Sequence, residues 1–155
     1  MFKEMRLNAQ ELSREETIDI LNKKTNGTLA INGTGQYPYS VPISYVYDDG
    51  KIYFHGAAAG QKYDLMKANP SVSFSVIDFD DVQPDKFTTY YKSVILYGDV
   101  KVLESPEDVK KVMTLILGKY CSPHMEGGME FLASQMGNFC VYELDIKHMT
   151  GKQSE

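Results

Sequence analysis

Along this chain the apolar positions switch repeatedly between helical and strand spacing. Ser13 followed by Glu16 reads as a capping box: the Ser oxygen takes one free helix N–H, and the Glu reaches back to another. Ile18, Ile20 and Leu21 then give an apolar stripe at helical spacing, and the helix should stop near Asn26-Gly27. Thr28 to Ile31 predicts a short strand. Asn32-Gly33-Thr34-Gly35 predicts a turn, since Asn and Gly tolerate positive φ. Tyr37 to Tyr47 predicts one long strand of aromatic and β-branched residues. Pro38 and Pro42 cannot donate to a central ladder, so that strand should be bent or lie at a barrel edge. Asp48-Asp49-Gly50 predicts a hairpin turn. Lys51 to His55 follows, with Ile52 and Phe54 on one face and Tyr53 and His55 on the other.

Gly56 to Gly60 is small and flexible in composition. Lys62 to Ala68 predicts a helix with Leu65 and Met66 inward, ending before Asn69-Pro70. From Ser71 to Phe79 the pattern alternates again, with Val72, Phe74 and Val76 opposing serines, as in a half-buried strand. Asp80 to Tyr90 reads as polar and irregular, and Tyr91 to Leu103 as a second long strand. Ser105-Pro106-Glu107-Asp108 opens a helix whose buried stripe is Val109, Val112, Met113, Ile116 and Leu117. Gly118 to Gly128 reads as a loop, Met129 to Met136 as a short helix, and Asn138 to Ile146 as the final strand before a polar tail.

Hairpins imply antiparallel pairing, and no repeated βαβ unit is present. The expectation is a single mainly-β domain with flanking helices (α+β) spanning 1–155. Its strands, about six, would form a closed or partly open barrel.

Composition narrows the function classes. Hydrophobic residues are 43% and charged residues 24% of the 155, which is ordinary globular composition. The net charge is −5 and no Lys/Arg cluster stands out, against a nucleic-acid partner. Two cysteines, Cys121 and Cys140, are too few for a disulfide framework. Met1 to Leu7 carries Lys, Glu and Arg without a long apolar run, so neither a signal peptide nor a membrane helix is expected. The expected location is cytoplasmic, with both thiols reduced.

The most informative stretch runs from Tyr37 to Pro70. A strand ends in His55, followed by Gly56, three alanines and a helix starting near Gly60. Small residues let a ligand approach the backbone closely. A helix N-terminus offers free N–H groups to a phosphate, and Lys62 adds a full charge. On residues alone a second reading stands beside this one: an ordinary Ala/Gly strand-to-helix turn with a solvated Lys.

Cys121 and His124 form half of a metal site, but a closed zinc site needs four ligands and the remaining His55, His148 and Cys140 are scattered, so no metal is expected. Cys121 reads as a buried or loop thiol rather than a nucleophile. Asp48-Asp49 and Asp80-Asp81 read as loop acids. Packing explains most tyrosines.

Five pieces occur together in order: Y-P-Y-S-V-P from Tyr37, I-Y-F-H-G-A-x-x-G-x-K from Ile52, N-P-x-V-x-F from Asn69, Y-x-S-V-I-L-Y-G from Tyr91, and Thr150-Gly151-Lys152. In these the chain resembles the FMN-binding split-barrel superfamily of pyridoxamine 5′-phosphate oxidase, most closely its nitroimidazole-resistance (Nim-like) branch. The resemblance implies an antiparallel six-stranded split β-barrel and a homodimer with two FMN sites at the subunit interface. By position, the backbone of Pro42, Ile43 and Ser44 would lie along the isoalloxazine ring. His55, Gly56 and Ala57 would line the ribityl and phosphate end, and Lys62 would pair with the phosphate. Ser93 and Val94 would approach from the second long strand. Apart from that carry-over, Tyr45 or Tyr91 could stack near a flavin. Gln61 stands where the oxidase commonly has Arg, and the oxidase's substrate-binding C-terminal extension is missing. Both departures count against pyridoxamine phosphate oxidation.

The resemblance thus implies an FMN-dependent oxidoreductase, fed by NAD(P)H or another reductant, acting on small aromatic and nitro compounds. The alternative is a non-catalytic flavin- or haem-binding module of the same barrel. His55 is the one candidate catalytic residue, as a proton donor whose pKa can cross neutrality; its other reading is a structural hydrogen bond to phosphate or backbone.

Overall fold

In the computed structural model, which describes residues 1–33, 35 and 37–155, helices and strands alternate largely as the pattern requires. Helix α1 (Arg14–Lys23) is followed by strands β1 (Asn26–Ile31), β2 (Tyr39–Ser44), β3 (Val46–Asp48) and β4 (Lys51–Gly56). Helix α2 (Gln61–Ala68), strands β5 (Ser71–Gln83) and β6 (Thr88–Leu103), helices α3 (Pro106–Tyr120) and α4 (Met125–Gln135) and strand β7 (Cys140–Ser154) complete the chain. Both expected caps form. Glu16 N–H donates to Ser13 Oγ at 3.1 Å while Ser13 N–H donates to the Glu16 carboxylate at 2.9 Å. Ser105 Oγ accepts the Asp108 N–H at 3.2 Å. Thr34, within the expected Asn32–Gly35 turn, and Gln36 lie outside the described residues.

The strands form one antiparallel sheet in the order β2-β1-β5-β6-β7-β4-β3. It has seven strands and is not closed, which corrects the expected six-stranded barrel. The extra strand comes from the Tyr37–Tyr47 segment. It breaks at Tyr45, and its two halves pair at opposite edges of the sheet, β2 with β1 and β3 with β4. Pro42 sits opposite Thr28 on edge strand β2, where a missing N–H costs least. The sheet must therefore curl until its two edges are one residue apart in the chain. Tyr45, at that crossing, is fully buried and donates its hydroxyl to the Leu21 carbonyl at 2.7 Å.

Asp80 to Tyr90 is not irregular: β5 and β6 pair as far as Gln83↔Thr88, past a bulge between Ile77 and Phe79. The polar tail is also strand, with Ser154 paired to Tyr91. Polar residues on an arm that projects from the core leave no apolar alternation to read, although backbone pairing alone defines the strand. The expected loop Gly118–Gly128 is mostly helical, with α3 reaching Tyr120 and α4 starting at Met125. Gly128 lies against Leu117, whose Cδ2 would stand 2.9 Å from an added Cβ, so glycine there lets α4 pack closely on α3.

Two cores flank the sheet. Inside the curl, Leu29, Ile31, Ile52, Phe54, Phe74, Val94, Leu96 and Leu144 pack with Ile20 and Leu21 of α1. On the other side, Val46, Tyr53 and Val141 pack against Val109, Val112, Met113, Ile116 and Leu117 of α3 and Leu132 of α4. Strand β4 thus buries alternate side chains on both faces, and only at its end does His55 emerge at the surface.

Candidate functional site

Strand β4 ends at Gly56, and four exposed residues later α2 begins. Gly60, the residue before α2, has φ of 110°, in the range that favours glycine, and offers no side chain to cap the helix. Asp64 N–H bonds back to the Gly60 carbonyl at 3.0 Å, closing the first turn. The N–H groups of Gln61, Lys62 and Tyr63 precede that bond and have no acceptor within the helix.

Ala57, first in the turn, is pinned from below by β7. Its carbonyl accepts the Tyr142 hydroxyl at 3.1 Å and stands 3.7 Å from Cys140 Sγ. Tyr142 is buried and stacks on Phe54, with ring centroids 4.9 Å apart. Burial and the neighbouring Cys140 push the Tyr142 phenol well up, so it stays a donor.

The half-buried Lys62 folds back over the strand end. A Cβ built on Gly56 would stand 3.3 Å from Lys62 Nζ and 3.4 Å from Tyr142 Cε2, so an added side chain would crowd the lysine and touch the tyrosine. Among the described residues no carboxylate lies within 4.0 Å of Lys62 Nζ. His55 completes the cluster, with its ring edge-on to Phe139 at 6.1 Å. Burial, and then the Lys62 ammonium, hold the His55 pKa below its ordinary value. The imidazole is therefore neutral at pH 7 and can both donate and accept a hydrogen bond.

Beside this cluster the sheet has a gap. The β3–β4 ladder runs Asp48↔Lys51, Tyr47↔Ile52, Val46↔Tyr53 and stops. Continued, it would set Ser44 opposite His55, Ile43 opposite Gly56 and Pro42 opposite Ala57. Instead β2 turns away at Tyr45 to pair with β1, leaving its other edge, and the facing edge of β4, without ladder partners among the described residues. Pro42 and Ser44 are exposed on β2, while Ile43 points into the core and can offer only backbone.

The structure thus brings His55, Gly56, Ala57 and Lys62 together, with Pro42, Ile43 and Ser44 across the gap. It does not bring Ser93 or Val94 to them. His55 is level with Leu103 through Val141, and Ser93 lies ten residues back along β6, about 33 Å at ~3.3 Å per residue. Val94 is fully buried in the inner core. Tyr142, Cys140 and Tyr120 escaped the sequence reading as supports of this region. Their partners are 75 to 85 positions away, and no local pattern marks such a contact. Cys121 is half-buried against the α3–α4 core and His124 is exposed. Among the described residues no three His, Cys, Asp or Glu side chains gather as a metal site would need.

A family model described as pyridoxamine 5′-phosphate oxidase matches residues 13–153. An uncharacterised protein of Rhizobium meliloti is 30% identical over 96 residues, spanning 62% of this chain but only 58% of that protein's length. Among solved structures, a conserved hypothetical protein from Mycobacterium tuberculosis superposes with a TM-score of 0.82 at 22% identity, covering 97% of this chain and 90% of that one. A proposed 5-nitroimidazole antibiotic resistance protein from Bacteroides thetaiotaomicron gives 0.73 at 18% identity, covering 94% and 90%. An FAD-binding protein from Mesorhizobium loti gives 0.66 at 24% identity, covering 94% and 98%. These likenesses establish the shared fold.

Proposed function

The chain belongs to the pyridoxamine 5′-phosphate oxidase family, and from that premise we propose that it holds FMN and serves as an oxidoreductase of small aromatic compounds, nitro compounds included. The observation that carries this reading is the position of Lys62. An ammonium with no carboxylate partner among the described residues lies over the Gly56 backbone, next to the uncapped N-terminus of α2. Free N–H donors plus one fixed cation are the donor set a phosphate monoester requires. The gap between β2 and β4 supplies backbone donors and acceptors for the edge of a flat polar ring, so the residues present fit the group.

In this reading Lys62 and the first N–H groups of α2 hold the phosphate. Gly56 and Ala57 let the chain of the cofactor pass close to the backbone, and Pro42, Ile43 and Ser44 border the ring. The bound flavin would supply the electron transfer, with NAD(P)H or another reductant as donor. Neutral His55 beside the phosphate is better suited to hold the cofactor than to act as a resident acid. Ser93 can join the site only from a second copy, as a homodimer would allow, while Val94, buried in its own core, could offer no more than backbone there. Exposed Ile77, Phe79, Val82 and Phe87 on the β5–β6 arm offer that copy an apolar surface. A cytoplasmic setting accords with two free cysteines. No helix is long and apolar enough to cross a membrane among the described residues.

The test is to purify the protein, identify any bound cofactor by mass spectrometry, and reconstitute with FMN. Anaerobic bleaching of the bound flavin by NADH or NADPH, followed by reoxidation with a nitroarene, supports the reading. Failure to bind FMN at micromolar concentration rejects it. Binding without bleaching by any donor leaves the flavin module and rejects the reductase.

A further inference from the structure

Strand β4 leaves its ladder at Gly56, which faces Cys140 across the last rung. Ala57 is the first residue beyond it, and Ala57 and Ala58 are both exposed. A carbonyl in an exposed turn can bond to water. That of Ala57 turns inward instead, accepting the hydroxyl of fully buried Tyr142 at 3.1 Å, with the Cys140 thiol 3.7 Å away. The hydroxyl is the stronger tie, since a thiol is a weak donor. The Tyr142 ring is itself held in place. It stacks on Phe54 with centroids 4.9 Å apart, and its Cε2 would stand 3.4 Å from a Cβ on Gly56.

The Ala57–Ala58 peptide is trans. A trans peptide is planar, and its C=O and N–H point to opposite sides. Holding the Ala57 carbonyl toward β7 therefore aims the Ala58 N–H away from the sheet. Among the described residues that N–H donates to no backbone carbonyl. Flipped, the same peptide would turn its carbonyl oxygen outward and repel an anion from the turn. As it stands, the turn shows an N–H there, and outward backbone N–H groups attract anions. A buried phenol thus decides which end of an exposed peptide faces solvent, in the turn that carries Lys62 and leads into α2.

We propose that Tyr142 is a positioning residue for the cofactor: by holding the Ala57 carbonyl inward, it presents the Ala58 N–H as a further donor to the FMN phosphate, beside Lys62 and the first turn of α2. The inference rests on the flavin reading and adds to it how the turn is kept ready. Tyr142 acts through Ala58 and touches no cofactor itself. A donor fixed beforehand avoids the cost of being ordered when the ligand arrives.

The test titrates isotope-labelled wild type and Tyr142→Phe with FMN, and with riboflavin as the phosphate-free control, following the backbone amides by NMR. In the wild type FMN should move the Ala58 amide proton downfield, as a hydrogen bond to an anionic oxygen does, and riboflavin should not. Phenylalanine keeps the stack on Phe54 and removes only the hydroxyl. Tyr142→Phe should therefore bind riboflavin as the wild type does and lose most of the Ala58 shift. It should weaken FMN at least about fivefold, part of what one charge-assisted donor contributes. A tyrosine that only braces the fold would, when changed, weaken both flavins alike and leave the Ala58 shift in the fraction that binds. That result, or equal FMN constants for the two proteins, overturns the proposal while the flavin reading stands. So does a wild-type Ala58 amide that FMN leaves unmoved, and this measurement decides alone if Tyr142→Phe does not fold. A wild type that binds neither flavin overturns the flavin reading, and the proposal falls with it.

Discussion

The Tyr120 hydroxyl clasps both backbone groups of Tyr45, accepting its N–H at 2.9 Å and lying 2.6 Å from its carbonyl oxygen. Tyr45 is the single residue between β2 and β3, so its backbone has no ladder on either side. Tyr120, at the end of α3, supplies the partner the sheet cannot. Removing the hydroxyl strands a backbone N–H that the fold has taken out of water, a cost of about 1–3 kcal/mol. Tyr120→Phe should lose about 2 kcal/mol in urea unfolding, with an unchanged m-value. A loss below ~0.5 kcal/mol would show that water replaces the phenol at no cost.

Glu143 is only 8% exposed, yet it is paired. Its carboxylate takes Lys51 Nζ at 3.0 Å, Lys101 Nζ at 3.3 Å and the Tyr53 hydroxyl at 3.3 Å. Burial by itself would raise its pKa, but the hydrogen bonds from the two lysines outweigh this and leave it below the usual carboxylate value. The unfolded chain therefore takes up the proton first as the solution is acidified. The stabilisation is complete above the ordinary Glu range and is lost as pH falls through it toward the folded value. Wild-type stability should drop more steeply than that of Glu143→Gln between about pH 6 and pH 3, and the two curves should converge at the acid end. Parallel curves would remove Glu143 from the account.

The helix caps, the β4 face pattern and the His55–Lys62 turn were legible because each rests on residues a few positions apart. Ser13 sees Glu16, and Ile52 shares a face with Phe54, within one turn or two rungs. The break at Tyr45 was half legible: Pro38 and Pro42 announced a bend, but not that the two halves would border opposite edges. That outcome depends on Tyr120, 75 positions away. The β5–β6 arm was invisible because Asp80, Asp81, Gln83 and Thr88 pair through backbone, which carries no side-chain signature. For the site, the sequence placed His55 and Lys62 side by side but could not show that Ser93 lies far along β6 from them.

Lys62→Ala should weaken FMN binding by about 1.5–3 kcal/mol, the contribution of a charge-assisted contact to phosphate, or roughly 10- to 150-fold in Kd. Its thermal midpoint should stay within a degree or two of wild type (~0.5 kcal/mol or less for a surface side chain). Riboflavin, which lacks the phosphate, should bind both proteins equally. Equal FMN constants for the two proteins would leave Lys62 as a solvated side chain.

The β5–β6 arm bears on assembly. Val82 and Phe87 are 65% and 95% exposed, and Phe87 has a φ of 55°, uncommon for a large side chain. If a second copy covers this arm, sedimentation velocity should give a dimer at micromolar concentration. Val82→Lys with Phe87→Glu should shift it toward monomer and, by removing the partner's Ser93, weaken FMN binding as well. A wild-type monomer that binds FMN tightly would reject both the dimer and the role of Ser93.

His55 offers the sharpest separation between holding a cofactor and turning it over. Burial disfavours its charged form, and the Lys62 ammonium adds repulsion, so the imidazole titrates below the ordinary histidine value. A phosphate dianion seated on Lys62 offsets that repulsion and attracts the proton, so FMN should raise the His55 pKa. Linkage requires the reciprocal: FMN binds more tightly as pH falls through the interval between the two values, with proton uptake on binding. The His55 ring signal, followed by NMR across pH with and without FMN, reads the shift directly. Riboflavin is the control, and it should leave the titration nearly where it was. His55→Ala should then bind FMN less tightly and lose that part of the pH dependence. Because a neutral imidazole is a poor acid, turnover of the saturated variant should stay within about twofold of wild type, so that the loss appears in the cofactor Kd alone. If saturated turnover instead falls by about 10²-fold or more while Kd is unchanged, His55 is a proton donor and its low resting pKa is reversed in the loaded enzyme. If neither quantity moves, and FMN leaves the His55 titration in place, the cofactor phosphate does not sit beside Lys62.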